Sequence, residues 1–364
     1  MQLTRLKLTA FRNFQQLSLE MGERCNVVHG ANGQGKTNLL EAVYLLATMK
    51  SFRTSRNREL ILHGQGTARV DGTIFNGGMV RQLRLDISGN SKTFHLDGKG
   101  VQRLSEVHGV LAAVLFTPDD LALVKGGPDQ RRRFLDRAIF SGDLGYLALY
   151  QAFQRTLRQR NALLRSGNVS SLQIWSEQLA ETAARLVTRR LSFMNELAQS
   201  LSTFYRQIAD ANQAAISYRP FRVEVGNGSF EAIRGGIIDA LEASRDEERR
   251  LGVTLIGPHR DDLHLTIDAV AARGFASQGE QRSLVLALKM AEIELLTTRL
   301  GSPPILLLDD MTSELDRQRS DNLLAFLLQR QLQVVITTTR PEGIQLPAAA
   351  ATRFHEVRQG TIVH

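Results

Sequence analysis

Gly30-Ala31-Asn32-Gly33-Gln34-Gly35-Lys36-Thr37 places its glycines and its Lys-Thr pair at the spacing G-x-x-x-x-G-K-[ST]. The run before it, Cys25-Asn26-Val27-Val28-His29, reads as a short buried strand. The run after it, Asn38 to Leu46, reads as an amphipathic helix. Strand, glycine loop and helix together aim backbone N–H groups and a helix N-terminus at a phosphate chain. The glycines permit positive φ and close backbone approach. Lys36 is placed to reach the β- and γ-phosphates, and Thr37 to hold Mg²⁺. Residues Gly30 to Asn38 are therefore the expected nucleotide-binding segment.

A second half of such a site lies far downstream. Ile305-Leu306-Leu307-Leu308-Asp309-Asp310 is an apolar strand ending in two carboxylates. Asp309 is expected to hold Mg²⁺ with Thr37, and Asp310 to polarise an attacking water. Asp309 comes 273 residues after Lys36, far more than a minimal nucleotide-binding sheet needs. A large segment is therefore inserted between two halves of one sheet, giving an α/β class with a second, helical lobe.

Ser277-Gln278-Gly279-Glu280-Gln281-Arg282 precedes a long helical run, Ser283 to Leu296. By itself it reads either as an ordinary N-capped helix or as a second anion nest formed by Ser277 and the N–H groups of Gly279 and Glu280. In the ordered company of Lys36, Asp309 and Asp316 it resembles the signature motif of ABC-type ATPases. Ser313-Glu314-Leu315-Asp316 is similar to their D-loop. The opening Leu3 to Phe14, with its Arg12-Asn13 pair, resembles the first strand of SMC-like heads. The stretches 116–121, 126–136, 257–262 and 277–282 extend the resemblance over essentially the whole chain, to the RecF family of bacterial recombination mediators.

That resemblance carries several expectations. Arg12 and Asn13 lie near bound ATP. The signature residues Ser277, Gln278, Gly279 and Glu280 meet the nucleotide of a partner copy, and Ser313 and Asp316 cross the interface, so ATP with Mg²⁺ builds a homodimer. The dimer closes on double-stranded DNA at ssDNA–dsDNA junctions and works with RecR-type and RecO-type mediator proteins to load a recombinase. Slow, DNA-stimulated hydrolysis reopens it. The slowness is read from Asp310, which stands where most ABC ATPases carry Glu, one methylene longer. Thr338 or Thr339 replaces the switch His of transporters, and 116–119 lacks the usual Gln. Two other readings differ in class: the soluble ATPase subunit of a transporter, and a nucleotide-gated DNA scaffold without useful hydrolysis.

The chain's composition agrees with a polyanion partner. Its 364 residues carry a formal net charge of +8, and only seven of the 45 basic residues are lysine. Lys36 is thus one of few lysines, at the position a phosphate loop requires. The single cysteine, Cys25, precludes an internal disulfide. No run of about twenty apolar residues is present, and the N-terminus has no apolar signal core, so the expected location is cytoplasmic, away from membranes. No His/Cys cluster has metal spacing.

Residues 1–115 and 265–364 are expected to form the ATPase lobe, and 116–264 the inserted lobe. Long helices are expected over 129–167 and 172–213 as an antiparallel hairpin, with another helix over 229–249. Val80 to Ile87 alternates as a strand, and Asp97-Gly98 signals a tight hairpin. Arginines cluster at 53–58, at 131–133 and along the hairpin. Arg53, Arg56, Arg131, Arg132, Arg158 and Arg160 are the candidates for contacts to duplex phosphates, weighed against a solvated or structural helix face. His259 reads as a turn residue rather than a base. No paired aromatic platform for single-strand stacking is evident.

Overall fold

The computed structural model describes residues 1–167, 171–209, 213–310, 330–343 and 351–363. In chain order the first elements are β1 (Gln2–Phe11), β2 (Phe14–Glu20), β3 (Cys25–His29), α1 (Lys36–Thr48), β4 (Thr67–Asn76), β5 (Met79–Ser88), β6 (Lys92–Leu96), β7 (Lys99–Gly100) and β8 (Ala113–Phe116). Next come α2 (Ala122–Lys125), α3 (Pro128–Gly142), α4 (Leu144–Ser166), α5 (Leu172–Ile208), β9 (Ala214–Arg219), α6 (Phe230–Ala243), α7 (Arg245–Leu251), β10 (Asp262–Ile267), β11 (Val270–Ala271), α8 (Ala272–Phe275) and α9 (Gln278–Leu300). The chain ends with β12 (Ile305–Leu308), β13 (Val334–Thr338), β14 (Thr352–Arg358) and β15 (Thr361–Val363).

Two compact units emerge: Met1–Asp120 with Glu292–His364, and Leu121–Ala291. The first holds two sheets. One is an antiparallel meander in the order β2-β1-β4-β5-β6-β7, with Asp97 and Gly98 both at positive φ in the expected hairpin turn. The other runs β15-β14-β3-β13-β12-β8 and is parallel from β14 to β8. Strands β12 and β8 read as unbroken apolar runs because both of their faces are covered, and each is buried at every residue. Helix α1 packs its Leu39, Val43 and Leu46 into one core with Leu3 and Leu6 of the meander and Leu307 and Val335 of the parallel sheet. A helix buried on nearly every face is what a layer between two sheets demands.

The second unit is built on the α4–α5 hairpin and the small sheet β11-β10-β9. Its helices break where capping chemistry says they must. The helix expected over 129–167 is two helices. Asp143 takes extended backbone (φ −142°, ψ 101°), and its carboxylate accepts from the N–H of Gly145, ending α3 and starting α4. The helix expected over 229–249 breaks at Ser244 into α6 and α7, and α5 stops at Ile208. The expected lobe boundary at 265 also moves. The first half of α9, with the signature residues, groups with the inserted unit, where the Lys289 ammonium lies 5.6 Å from the Phe134 ring centroid of α3.

Candidate functional site

The parallel sheet brings three strand ends together, because β13 pairs with β3 on one side and β12 on the other. The phosphate loop leaves the end of β3, Asp309 and Asp310 leave β12, and Thr337 and Thr338 end β13. Ligands in open parallel sheets sit outside such carboxyl ends. Three loop glycines have backbone that only glycine adopts readily: Gly30 (φ 144°), Gly33 (φ 79°) and Gly35 (φ 118°). A Cβ on Gly30 would stand 2.4 Å from the Val357 carbonyl oxygen of β14.

The lysine is held inside its own loop. The Lys36 ammonium donates to the carbonyls of Gly30 (2.8 Å) and Ala31 (2.9 Å). Burial lowers its pKa, and the charges of Asp310 and Asp309 oppose that shift. The Thr37 hydroxyl donates to Asp309 Oδ1 at 2.9 Å, and Thr337 donates to the same oxygen at 2.7 Å. The backbone N–H of Asp310 donates to Thr337 Oγ1 at 3.0 Å, and Asp310 itself sits at positive φ (48°). Two oxygens from Thr37 and Asp309 suit Mg²⁺, which takes one or two protein ligands and otherwise phosphate and water. Among the described residues no cluster of three or more His, Cys, Asp or Glu has metal-holding geometry.

Asn13 splints the loop. Its amide donates to the Gln34 carbonyl (2.8 Å), and its oxygen accepts from the Asn38 amide (2.8 Å). On the other side, Gln359 N–H donates to Gln34 Oε1 and Gly360 N–H to the Gln34 carbonyl. The exposed residues Ala31, Asn32 and Gly33 form the loop's open lip.

Arg12, expected near the nucleotide, is engaged by protein groups beside the loop. Both guanidinium edges are taken: Glu41 of α1 receives a bidentate pair at 2.7 Å, and the Glu59 carbonyl a third bond at 2.6 Å. Arg53 leans on the same carboxylate at 3.6 Å and donates to Asn38 at 2.6 Å. Glu41 escapes a motif search because a buried acid on a helix has no local signature; an acid among Leu39, Leu40, Ala42 and Val43 is the one available hint. Thr337 carries no local signature either, since only strand order places it beside Asp309.

At the signature, Ser277 and Glu280 form a reciprocal capping box. Ser277 N–H donates to Glu280 Oε2 (2.7 Å), and Glu280 N–H to Ser277 Oγ (3.3 Å). Ser277 and Gln278 are exposed, Gly279 follows in the first turn of α9, and Phe275 just before them is 79% exposed. Ser313 and Asp316 lie outside the described residues.

The arginines divide sharply. Arg131 is buried, bidentate to Asp262 (2.7 and 2.9 Å), and also donates to the carbonyls of Leu123 and Gly126. Arg160 is buried between Glu248 (2.6 Å), Thr254 (2.8 Å) and Ser176 (3.0 Å). Neither presents a donor to DNA, because each is spent on partners brought from other elements. Arg132 is engaged with Asp129 and the Asp261 carbonyl. Arg56 and Arg158 are exposed. His259 is a turn residue: Nε2 donates to the Thr254 carbonyl at 3.1 Å, and burial lowers its pKa to about 4.

The family model described as RecF/RecN/SMC N terminal domain matches residues 2–362. The chain is 45% identical over 364 residues to the DNA replication and repair protein RecF of Citrifermentans bemidjiense, covering all of both chains. It belongs to the RecF family. The RecF of Geotalea uraniireducens is 42% identical over 365 residues, again with full coverage of both. Among solved structures, the recombination mediator protein RecF-ATP in RecFOR pathway superposes with a TM-score of 0.90 at 30% identity, covering 99% of this chain and 96% of that one. An Smc head bound to the C-winged helix domain of ScpA has a TM-score of 0.58 at 15% identity, with 100% and 98% coverage, which shows the shared fold alone. The RecF family, an ATP-binding, SMC-like ATPase family, thus accounts for the ABC-type head with its inserted helical lobe. No helix among the described residues is long and apolar enough to cross a membrane.

Proposed function

We propose that this chain is an ATP-gated DNA-binding protein of recombinational repair. One observation carries the nucleotide part: Thr37 and Asp309, 272 residues apart, share a hydrogen bond beside Lys36 at the ends of adjoining parallel strands. Gly30 to Asn38 would cradle the phosphates, with Thr37 and Asp309 holding Mg²⁺. Mg²⁺ held there would supply neutralisation of phosphate charge. Lys36 exchanges two loop carbonyls for phosphate oxygens, and Asp310 accepts a proton from the attacking water as a weak ATPase.

The exposed capping box at Ser277 is the surface a partner copy would meet, so that ATP forms a homodimer. Similarity to RecF proteins, one of them described within the RecFOR pathway, supports duplex DNA and ssDNA–dsDNA junctions as targets, RecR- and RecO-type proteins as partners, and recombinase loading as the outcome. Sedimentation of wild type and Ser277→Arg with and without Mg-ATP tests the dimer. Wild type is expected to dimerise only with ATP, and the variant to bind ATP yet stay monomeric. Dimerisation of both, or of neither, counts against the contact.

A further inference from the structure

The chain's single tryptophan lies where no motif pointed. Trp175 of α5 borders a cleft of about 360 Å³ whose other walls, Ala152, Arg155, Thr156, Arg158 and Gln159, all come from α4. Trp175 is partly exposed, and Arg155 and Arg158 are exposed. Among the described residues neither guanidinium has a hydrogen-bond or ion-pair partner, in contrast to Arg131, Arg160 and Arg190, which are buried in acid-bearing networks. Arg155 and Arg158 are one helical turn apart and so project along the same stretch of α4.

We propose that this cleft binds single-stranded nucleic acid, stacking one unpaired base on Trp175 while Arg155 and Arg158 hold the flanking phosphates. The inference deepens the DNA reading above and rests on it. Indole supplies a sequence-tolerant stacking face, and arginine forks grip phosphate oxygens in pairs. The Gln159 amide, with donor and acceptor side by side, can meet a base edge. A peptide fits less well. Both walls are helices whose main chain is spent internally, so no strand can be added. The cleft also offers one aromatic ring in place of the row of apolar anchors that a docked helix needs.

Because Trp175 is the only indole in the chain, intrinsic fluorescence of the full-length protein reports the site directly. The titrants are a short oligothymidylate, a blunt duplex of equal charge and poly-glutamate, each with and without Mg-ATP. Quenching by oligothymidylate alone is expected. In anisotropy assays, Trp175→Ala is expected to weaken oligothymidylate binding about tenfold while leaving duplex binding within about twofold, and the double variant Arg155→Ala/Arg158→Ala is expected to weaken oligothymidylate binding by a similar factor. Trp175→Phe, which keeps a ring for packing, is expected to retain most of the affinity. Duplex binding without any quenching by oligothymidylate overturns the cleft while leaving the DNA reading in place. Binding of neither nucleic acid overturns both. Quenching by poly-glutamate alone reassigns the cleft to an acidic protein and likewise overturns the proposal.

Discussion

Glu41 is a carboxylate with no exposed surface, yet it engages three groups: it accepts from Arg12 with both oxygens and from the hydroxyl of Ser51, and it forms an ion pair with Arg53. It lies one turn into the helix that starts at Lys36, so it ties the first strand and the 51–53 segment to α1. A buried charge is tolerated only when it is paired, and removing one member strands the other. Glu41→Ala is expected to cost about 3 kcal/mol of stability, read from the urea midpoint at constant slope. A loss under about 1 kcal/mol would mean that water reaches Arg12 in place of the carboxylate. The same logic explains why two of the six arginine candidates, Arg131 and Arg160, are interior. A guanidinium in a sequence looks alike whether its partner is a phosphate or a buried glutamate. What distinguishes Arg160 from Arg158 is Glu248, 88 positions away.

At the scale of elements, the turn from α7 into β10 shows how local chemistry and tertiary burial combine. Gly257 has φ 127°, and His259 behind it stacks near Phe153 with ring centroids 5.8 Å apart and Nε2 on the Thr254 carbonyl. Burial depresses its folded pKa to about 4, below the ordinary value of 6.5. The unfolded chain therefore binds the proton first. The stability this group contributes is full above pH 6.5 and is lost as pH falls from about 6.5 to about 4. Wild type is expected to lose up to about 3 kcal/mol more than His259→Gln over that window, measured by denaturation at each pH. Parallel curves would remove His259 from the account. The element boundaries were legible where a cap or a periodic run marks them, as at Lys36, Asp97-Gly98 and Ser277. The breaks at Asp143 and Ser244 are not legible in the sequence, because the helical period continues across them and only the backbone torsions show the turn.

At the scale of the molecule, one parallel sheet is assembled from strands near both ends of the chain: β3 at residues 25–29, and β12, β13 and β14 beyond residue 304. The interruption between them is a compact unit with its own hairpin and sheet. This arrangement places Asp310 beside Thr337, where its carboxylate would serve hydrolysis without being needed for nucleotide capture. Asp310→Asn is expected to keep ATP affinity within about threefold while slowing turnover at least about a hundredfold. Turnover and equilibrium nucleotide binding, measured on the same preparation, check this. An unchanged rate would take Asp310 out of the reaction.

The phosphate loop, the paired carboxylates and the signature capping box were determined by the sequence, because each depends on residue types at short fixed spacing: glycines that tolerate positive φ, a lysine and a hydroxyl one position apart, a serine and a glutamate three apart. The α/β class followed from where those motifs stand along the chain. Only the tertiary structure decided that β13 lies between β3 and β12 and so brings Thr337 to Asp309, that Glu41 captures Arg12, and that Arg131 and Arg160 are interior while Arg155 and Arg158 face solvent beside Trp175. Those outcomes depend on burial and on partners tens to hundreds of residues away, and the free energy of an ion or a polar group is set by its surroundings in space rather than by its neighbours in sequence.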